Sequence, residues 1–418
     1  MKYLAVLGRQ PEISIAELES LSDIKWHEMF SSGRVVAARR HGGGALILAL
    51  PRSGMPEEGI SVPLNIDRLG GTLKLAVEIK GKPLEYLQKL PEGKLTIGVS
   101  DYSVKASRKS ATLEALKLKK ILVRHGRSVR VVENKDAVIS TAASLHNGLS
   151  GKNPRKVELI KVDDEWYRVI GVQDVDAYTK RDQARPARDA YVGMLPPKLA
   201  QILINLCGPL EAGSVILDPF CGTGVVLQEA LLMGYQAYGT DINERMVEYS
   251  KRNIGWLIEK YMLPGDGVAP ARRYGGRAPR SLGRNLRSAP GSSISSISQG
   301  DAVVYKWEQP IDAVACEGYL GKPMSKTPSE MELKKQKQEC REIVLGFLKN
   351  LVGQIKDGTP VTIAVPAWLR ENGEYSRLDI LDEIIKLGYN VNNKSREGLL
   401  YHRKEQIVAR DILILRKK

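Results

Sequence analysis

Apolar and polar positions follow two different rhythms along the chain, and the change falls near Tyr191. Upstream of it, short β-branched runs dominate. Residues 1–7 read as a strand that stops at Gly8, and 35–39 with 45–50 read as a hairpin across Gly42-Gly43-Gly44. Between them Ser14 reads as a helix N-cap, with Glu17 at the capping-box position. Further strands are expected at 72–79, 95–99, 129–132 and 157–162. A helix over 110–126 would bury Leu113, Leu116, Ile121 and Leu122 and expose Lys117, Lys119, Lys120 and Arg124. Downstream, strands at 214–217, 237–240, 313–315 and 361–365 alternate with helices at 225–232, 243–259 and 339–355. That alternation marks an α/β, doubly wound, mostly parallel sheet. Residues 398–403 pair with the long β-branched run 406–415, expected as its antiparallel edge strand.

These rhythms divide the chain. Residues 1–70 form an α+β, ferredoxin-like unit and 71–176 a second section of strands and one helix; 177–190 is a charged linker and 191–418 the α/β domain. Residues 264–298 interrupt that domain with Gly, Pro, Ser and Arg, a composition that buries too little apolar area to order itself, so a flexible insertion is expected.

The net charge of +15 points to a polyanionic partner. Lys105, Arg108, Lys109, Lys120 and Arg124 around the 110–126 helix, and Lys180, Arg181 and Arg185 in the linker, are the candidate phosphate contacts. Four cysteines without a CxxC pair and only five histidines argue against a structural zinc site and a disulfide framework, so no metal is expected. The N-terminal apolar run lacks the length and cleavage site of a signal peptide, and no run is long enough to span a bilayer; a cytoplasmic location and no membrane partner are expected.

The candidate chemistry centres on Asp218-Pro219-Phe220-Cys221-Gly222-Thr223-Gly224, which follows a strand and opens a helix. Gly222 and Gly224 let the backbone bend sharply and approach a ligand. The first amides of the next helix then face a carboxylate. No Gly-Lys-Ser/Thr follows, so this is not a P-loop, and the spacing is not that of a dinucleotide site. Asp241, after the second strand, can accept ribose hydroxyls or cap the following helix. Asp301 stands at the edge of the third strand, where an adenine amine would donate. Together these acids and the bend describe S-adenosylmethionine, with Asp218, Phe220, Gly222, Gly224, Asp241 and Asp301 as the cofactor-binding set.

The Asp218 to Gly224 run resembles motif I of the class I methyltransferases that modify exocyclic amines. The whole chain resembles the archaeal-type THUMP-domain tRNA guanosine N2-methyltransferases, on Gly8 to Leu21, Leu69-Gly70-Gly71-Thr72, Lys180-Arg181-Asp182, Arg185-Pro186, Met194-Leu195-Pro196-Pro197-Lys198, Tyr401-His402-Arg403 and Arg410-Asp411-Ile412. The resemblance implies a THUMP RNA-binding domain over 71–176, a Rossmann-like class I methyltransferase domain over 191–418, tRNA as partner, and methyl transfer to a guanosine N2 amine. It also implies an Asp/Asn-Pro-Pro-Tyr motif after the fourth strand. Here that place reads Ala315-Cys316-Glu317-Gly318-Tyr319, without the prolines. Glu317 takes the role of acceptor for the amine and Tyr319 that of the stacking platform, while strict alignment on Tyr319 would put Cys316 in the acceptor's place. Two other readings stay open: an inactive THUMP protein that binds tRNA, and an amino-methyltransferase of DNA. The modified position, mono- or dimethylation, the oligomeric state and any helper subunit are not legible in the residues.

Overall fold

A computed structural model describes residues 2–21, 26–28, 46–49, 65–103, 105–189, 194–262, 295–403 and 406–418. The chain divides into two compact units, Met1–Thr179 and Lys180–Lys418, and the division falls inside the Val175–Gln183 helix. The 35–39 strand expected upstream and most of the 264–298 insertion lie outside the described residues.

The N-terminal unit is built on one sheet. Its strands are β1 (Tyr3–Leu7), β2 (Trp26–Glu28), β3 (Leu46–Ala49), β4 (Thr72–Glu78), β5 (Leu95–Asp101), β6 (Val129–Val131), β7 (Lys156–Val162) and β8 (Glu165–Val172), in the order β2-β3-β1-β4-β8-β7-β5-β6. Strands from both sides of residue 70 thus share a sheet, with β1 antiparallel to β4. β5 is parallel to β6 and β7, and all seven of its residues are buried, as expected of a strand covered on both faces.

Two local readings are corrected here. The first helix is Pro11–Leu21, so Ser14 lies inside it; Pro11 stands at the first turn, where its missing N–H is harmless. Ser14 Oγ donates to Gly71 O (2.9 Å), and Glu17 accepts from the N–H groups of Gly70 (2.9 Å) and Gly71 (2.8 Å). These residues fasten the chain entering β4 instead of capping a helix. The Arg108–Arg124 helix buries Ala111, Ala115, Leu118 and Leu122, while Leu113 and Leu116 are exposed. The alanines allow the helix to sit close to the sheet, which turns the larger leucines outward.

The C-terminal unit carries β9 (Val215–Asp218), β10 (Gln236–Asp241), β11 (Ser295–Gln299), β12 (Ala313–Glu317), β13 (Pro360–Leu369), β14 (Tyr375–Ser376), β15 (Tyr389–Val391), β16 (Leu400–Tyr401) and β17 (Val408–Lys417). The main order is β11-β10-β9-β12-β13-β17-β15; β14 joins β13 and β16 joins β17. β9 to β13 are parallel, and β17 runs antiparallel between β13 and β15. β17 is therefore interior, not the edge; the edge is the three-residue β15. β11 begins at Ser295, so the last residues assigned to the insertion form a strand.

One face of this sheet carries a core of Val314, Cys316, Ile363, Val365 and Leu413, covered by Phe347. Phe347 and Leu348 come from the Glu330–Val352 helix, which starts nine residues before the expected 339. Its start is fixed by a capping box between Ser329 and Glu332. The chain leaves β9 for β10 and β11 on one side and returns to β12 on the other, which opens a crevice at the C-terminal ends of β9 and β12.

Candidate functional site: the bend after Asp218

β9 delivers Asp218 to that crevice, 2% exposed, with Oδ1 accepting from Phe220 N–H at 3.1 Å. Burial pushes its carboxyl well above the usual range, and the neighbouring Asp241 and Glu317 add to the rise. The bend then turns through Gly222 (φ 49°) and Gly224 (φ 80°), left-handed positions that favour glycine. A Cβ on Gly224 would stand 2.7 Å from Ser250 Oγ and 3.2 Å from Ser250 Cα. The Val225–Leu232 helix begins directly after it, so its first amides face the crevice.

Asp241 closes β10. Its Oδ2 accepts from Gly222 N–H (2.8 Å) and its Oδ1 from Asn243 N–H (2.9 Å). The acid therefore pins the bend across two strands. Asn243, not Asp241, caps the Glu244–Leu257 helix. Burial raises the Asp241 pKa. Phe220 is half-buried and meets Phe347 edge-on at 5.3 Å. Asp301 is exposed beyond β11, with Oδ1 accepting from Val303 N–H at 3.0 Å.

β12 ends at Glu317. Strand alternation turns Cys316 into the core, fully buried, where its thiol pKa is driven well up by burial. Glu317 points to the opposite face and is ion-paired with Arg410 of β17 through Nε and Oε1. Gly318 N–H continues the ladder to Ala364 O (2.9 Å). Tyr319 is partly buried and its hydroxyl donates to Glu339 (2.9 Å); burial and that carboxylate raise its pKa to about 12. Gly321 (φ 85°) and Lys322 follow, with Lys322 N–H donating to Gln336 Oε1 at 2.9 Å. The loop is held by Gln336 where the expected motif would use prolines.

The basic candidates separate into two kinds. Lys105, Arg108, Lys109, Lys120, Arg124 and Lys180 are exposed, and Arg108 pairs with Glu133 at 2.8 Å. Arg181 and Arg185 are each 3% exposed and do not offer a surface for phosphate. Arg181 is held by both oxygens of Glu229 (2.7 and 3.1 Å), and Arg185 by Asp182 (3.0 Å). Asn253 ties this linker to the bend, taking Ala187 N–H on Oδ1 and donating to Ala187 O (2.9 Å) and Thr223 O (2.8 Å). The sequence reading missed Arg410 as a site residue and also Lys322, Lys326 and Lys335, which line one hollow of about 310 Å³ directly after Tyr319. The single carboxylate in that hollow, Glu332, is engaged by the Ser329 hydroxyl and N–H.

A parallel sheet with one antiparallel strand, bent after its first strand onto a helix N-terminus and acid-tipped at its second, defines a Rossmann-like α/β unit with a crevice at the switch point. A family model described as a DNA methylase matches residues 117–252. The chain is 51% identical over 75 residues to a tRNA (guanine(10)-N2)-dimethyltransferase of Methanothermobacter thermautotrophicus, covering 18% of this chain and 22% of that protein. It is 41% identical over 85 residues to the enzyme of the same name from Pyrococcus abyssi, covering 20% and 25%. The matched stretches thus span about a quarter of the curated relatives. Among solved structures, TrmN from Thermus thermophilus aligns over 100% of both chains with a TM-score of 0.45 and 16% identity.

Proposed function

We propose that the chain transfers a methyl group from S-adenosylmethionine to the exocyclic N2 amine of a guanosine in tRNA. One observation carries this reading: the glycine bend, the Asp241 acid that pins it and the Glu317-Tyr319 segment all stand at the C-terminal ends of adjacent strands. The residues fit the cofactor. Each Asp241 oxygen spends one lone pair on a backbone N–H and keeps another for a ribose hydroxyl. Gly224 and the amides after it suit a carboxylate, Phe220 an apolar wall, and Asp301 an adenine amine.

When bound, the cofactor supplies an electrophilic methyl group. The chain's own work is positioning, and no metal is needed for it. Glu317 Oε2, the oxygen not taken by Arg410 Nε, accepts a hydrogen bond from the guanine amine and aims its lone pair. Tyr319, anchored through its hydroxyl, offers a ring face to a base lifted from the RNA. After transfer the amine proton passes to Glu317 or to water.

The same reading makes residues 71–176 a THUMP RNA-binding domain in a cytoplasmic protein, with the exposed cations of the Arg108–Arg124 helix and Lys180 as phosphate contacts. Among the described residues no helix is long and apolar enough to cross a membrane. The tRNA enzymes named among the relatives support RNA as the substrate. The DNA-methylase model supports a second reading, amino-methylation of DNA, which the same assay separates. Protein, labelled cofactor and either deproteinised tRNA or duplex DNA are incubated, and the product is digested to nucleosides. Label in N2-methylated guanosine from tRNA is expected; label in a DNA base, or none, refutes the proposal.

A further inference from the structure

Arg410 does more than neutralise Glu317. It sits 7% exposed on β17, opposite Pro366 of β13, and Glu317 sits opposite Ala364 of the same strand. Ile363 and Val365 point into the core, so Ala364, Pro366, Glu317 and Arg410 share the other face at the strands' C-terminal end. Arg410 Nε is spent on Glu317 Oε1. Among the described residues that is its one side-chain hydrogen bond, and Nη1 and Nη2 are not sealed in the interior without a partner. Arg410 thus brings two further donor groups, on the face it shares with Glu317, next to that carboxylate acceptor.

We propose that Arg410 reads the O6 oxygen of the target guanine and thereby sets base specificity. The inference rests on the methyltransferase reading above. Guanine's Watson–Crick edge presents one acceptor, O6, followed by two donors, N1–H and the N2 amine. An arginine donor followed by a carboxylate acceptor is its complement. Held in the register that places guanine's N2 amine at Glu317 and O6 at Arg410, adenine presents an amine where O6 would be and so meets Arg410 donor to donor. A site built on such a charged donor rejects an analogue lacking the acceptor because the buried donor is left unpaired.

The test uses the full chain with tRNA carrying guanine or 2-aminopurine at the methylated position. The analogue keeps the exocyclic amine and lacks O6 and the N1 proton, so the comparison rests on how the preference changes in the Arg410 variants. The wild type is expected to prefer guanine in kcat/KM. In Arg410→Gln that preference falls by about tenfold to a hundredfold, because only the guanine substrate loses a charge-assisted bond. Arg410→Lys, which retains a donor, is expected to keep part of it and provides the measurement should the glutamine variant fold poorly. Calorimetry with S-adenosylmethionine is expected to give unchanged affinity in both. Equal losses on both bases, with the preference intact, would overturn the assignment and leave Arg410 as a support for Glu317. A wild type that methylates no guanosine would instead refute the underlying activity.

Discussion

Replacing Arg181 separates two roles for the linker arginines. As a phosphate contact Arg181 would matter to RNA and not to folding. The structure makes it half of a buried pair, with side-chain exposures of 4% for Arg181 and 2% for Glu229 and two hydrogen bonds at 2.7 and 3.1 Å. Arg181→Ala strands the Glu229 carboxylate in the interior. Breaking such a pair from one side costs about 3–5 kcal/mol. Arg185 stands near enough to Glu229 to offset part of its charge, which places the loss toward the lower end. For a unit of roughly 150–250 residues each kcal/mol moves Tm by about 2–4 °C, so a fall of about 6–12 °C follows from a loss of about 3 kcal/mol. The double variant Arg181→Met, Glu229→Leu removes both charges and should recover most of that fall. Thermal unfolding of the three proteins, with tRNA binding measured well below Tm, checks this. An unchanged Tm in Arg181→Ala together with weakened tRNA binding would refute the reasoning.

Three other outcomes are expected. Gly224→Ala forces a Cβ into a left-handed position at about 1–2 kcal/mol and against Ser250, so Tm falls and calorimetric affinity for S-adenosylmethionine drops; an unaltered affinity contradicts the role of the bend. Asp218→Asn removes a buried carboxylate whose folded pKa is raised, so the variant is more stable above that pKa, and the difference shrinks as the pH falls below it and vanishes in the ordinary carboxylate range, where the unfolded chain is protonated too; a gap that widens toward acid has the wrong sign. Replacing Lys322, Lys326 and Lys335 together by Gln should lower the slope of log K for tRNA against log salt by about 2–3, and an unchanged slope removes that hollow from the RNA surface.

The α/β alternation and the Asp218 to Gly224 bend were legible because both are local: a strand period, a helix period and glycines where φ must turn positive. Asp241 was legible for the same reason, although its hold on Gly222 was not. What escaped was set by register. Arg410 meets Glu317 across 93 residues of chain, a contact fixed only when β13 and β17 pair. A charged linker reads as surface, yet folding places Arg181 beside Glu229 and buries both. β17 read as an edge because the strand outside it, Tyr389–Val391, is too short to leave a pattern. The Ser329 to Glu332 capping box was visible and would have set the start of the Glu330–Val352 helix.

The direct test of the central claim is calorimetric titration of the folded full chain with S-adenosylmethionine. One binding site is predicted, lost in Asp241→Ala, since that acid both holds Gly222 and faces the ribose. Absence of heat from wild-type protein that melts cooperatively, or equal binding by the Asp241→Ala variant, would contradict the account.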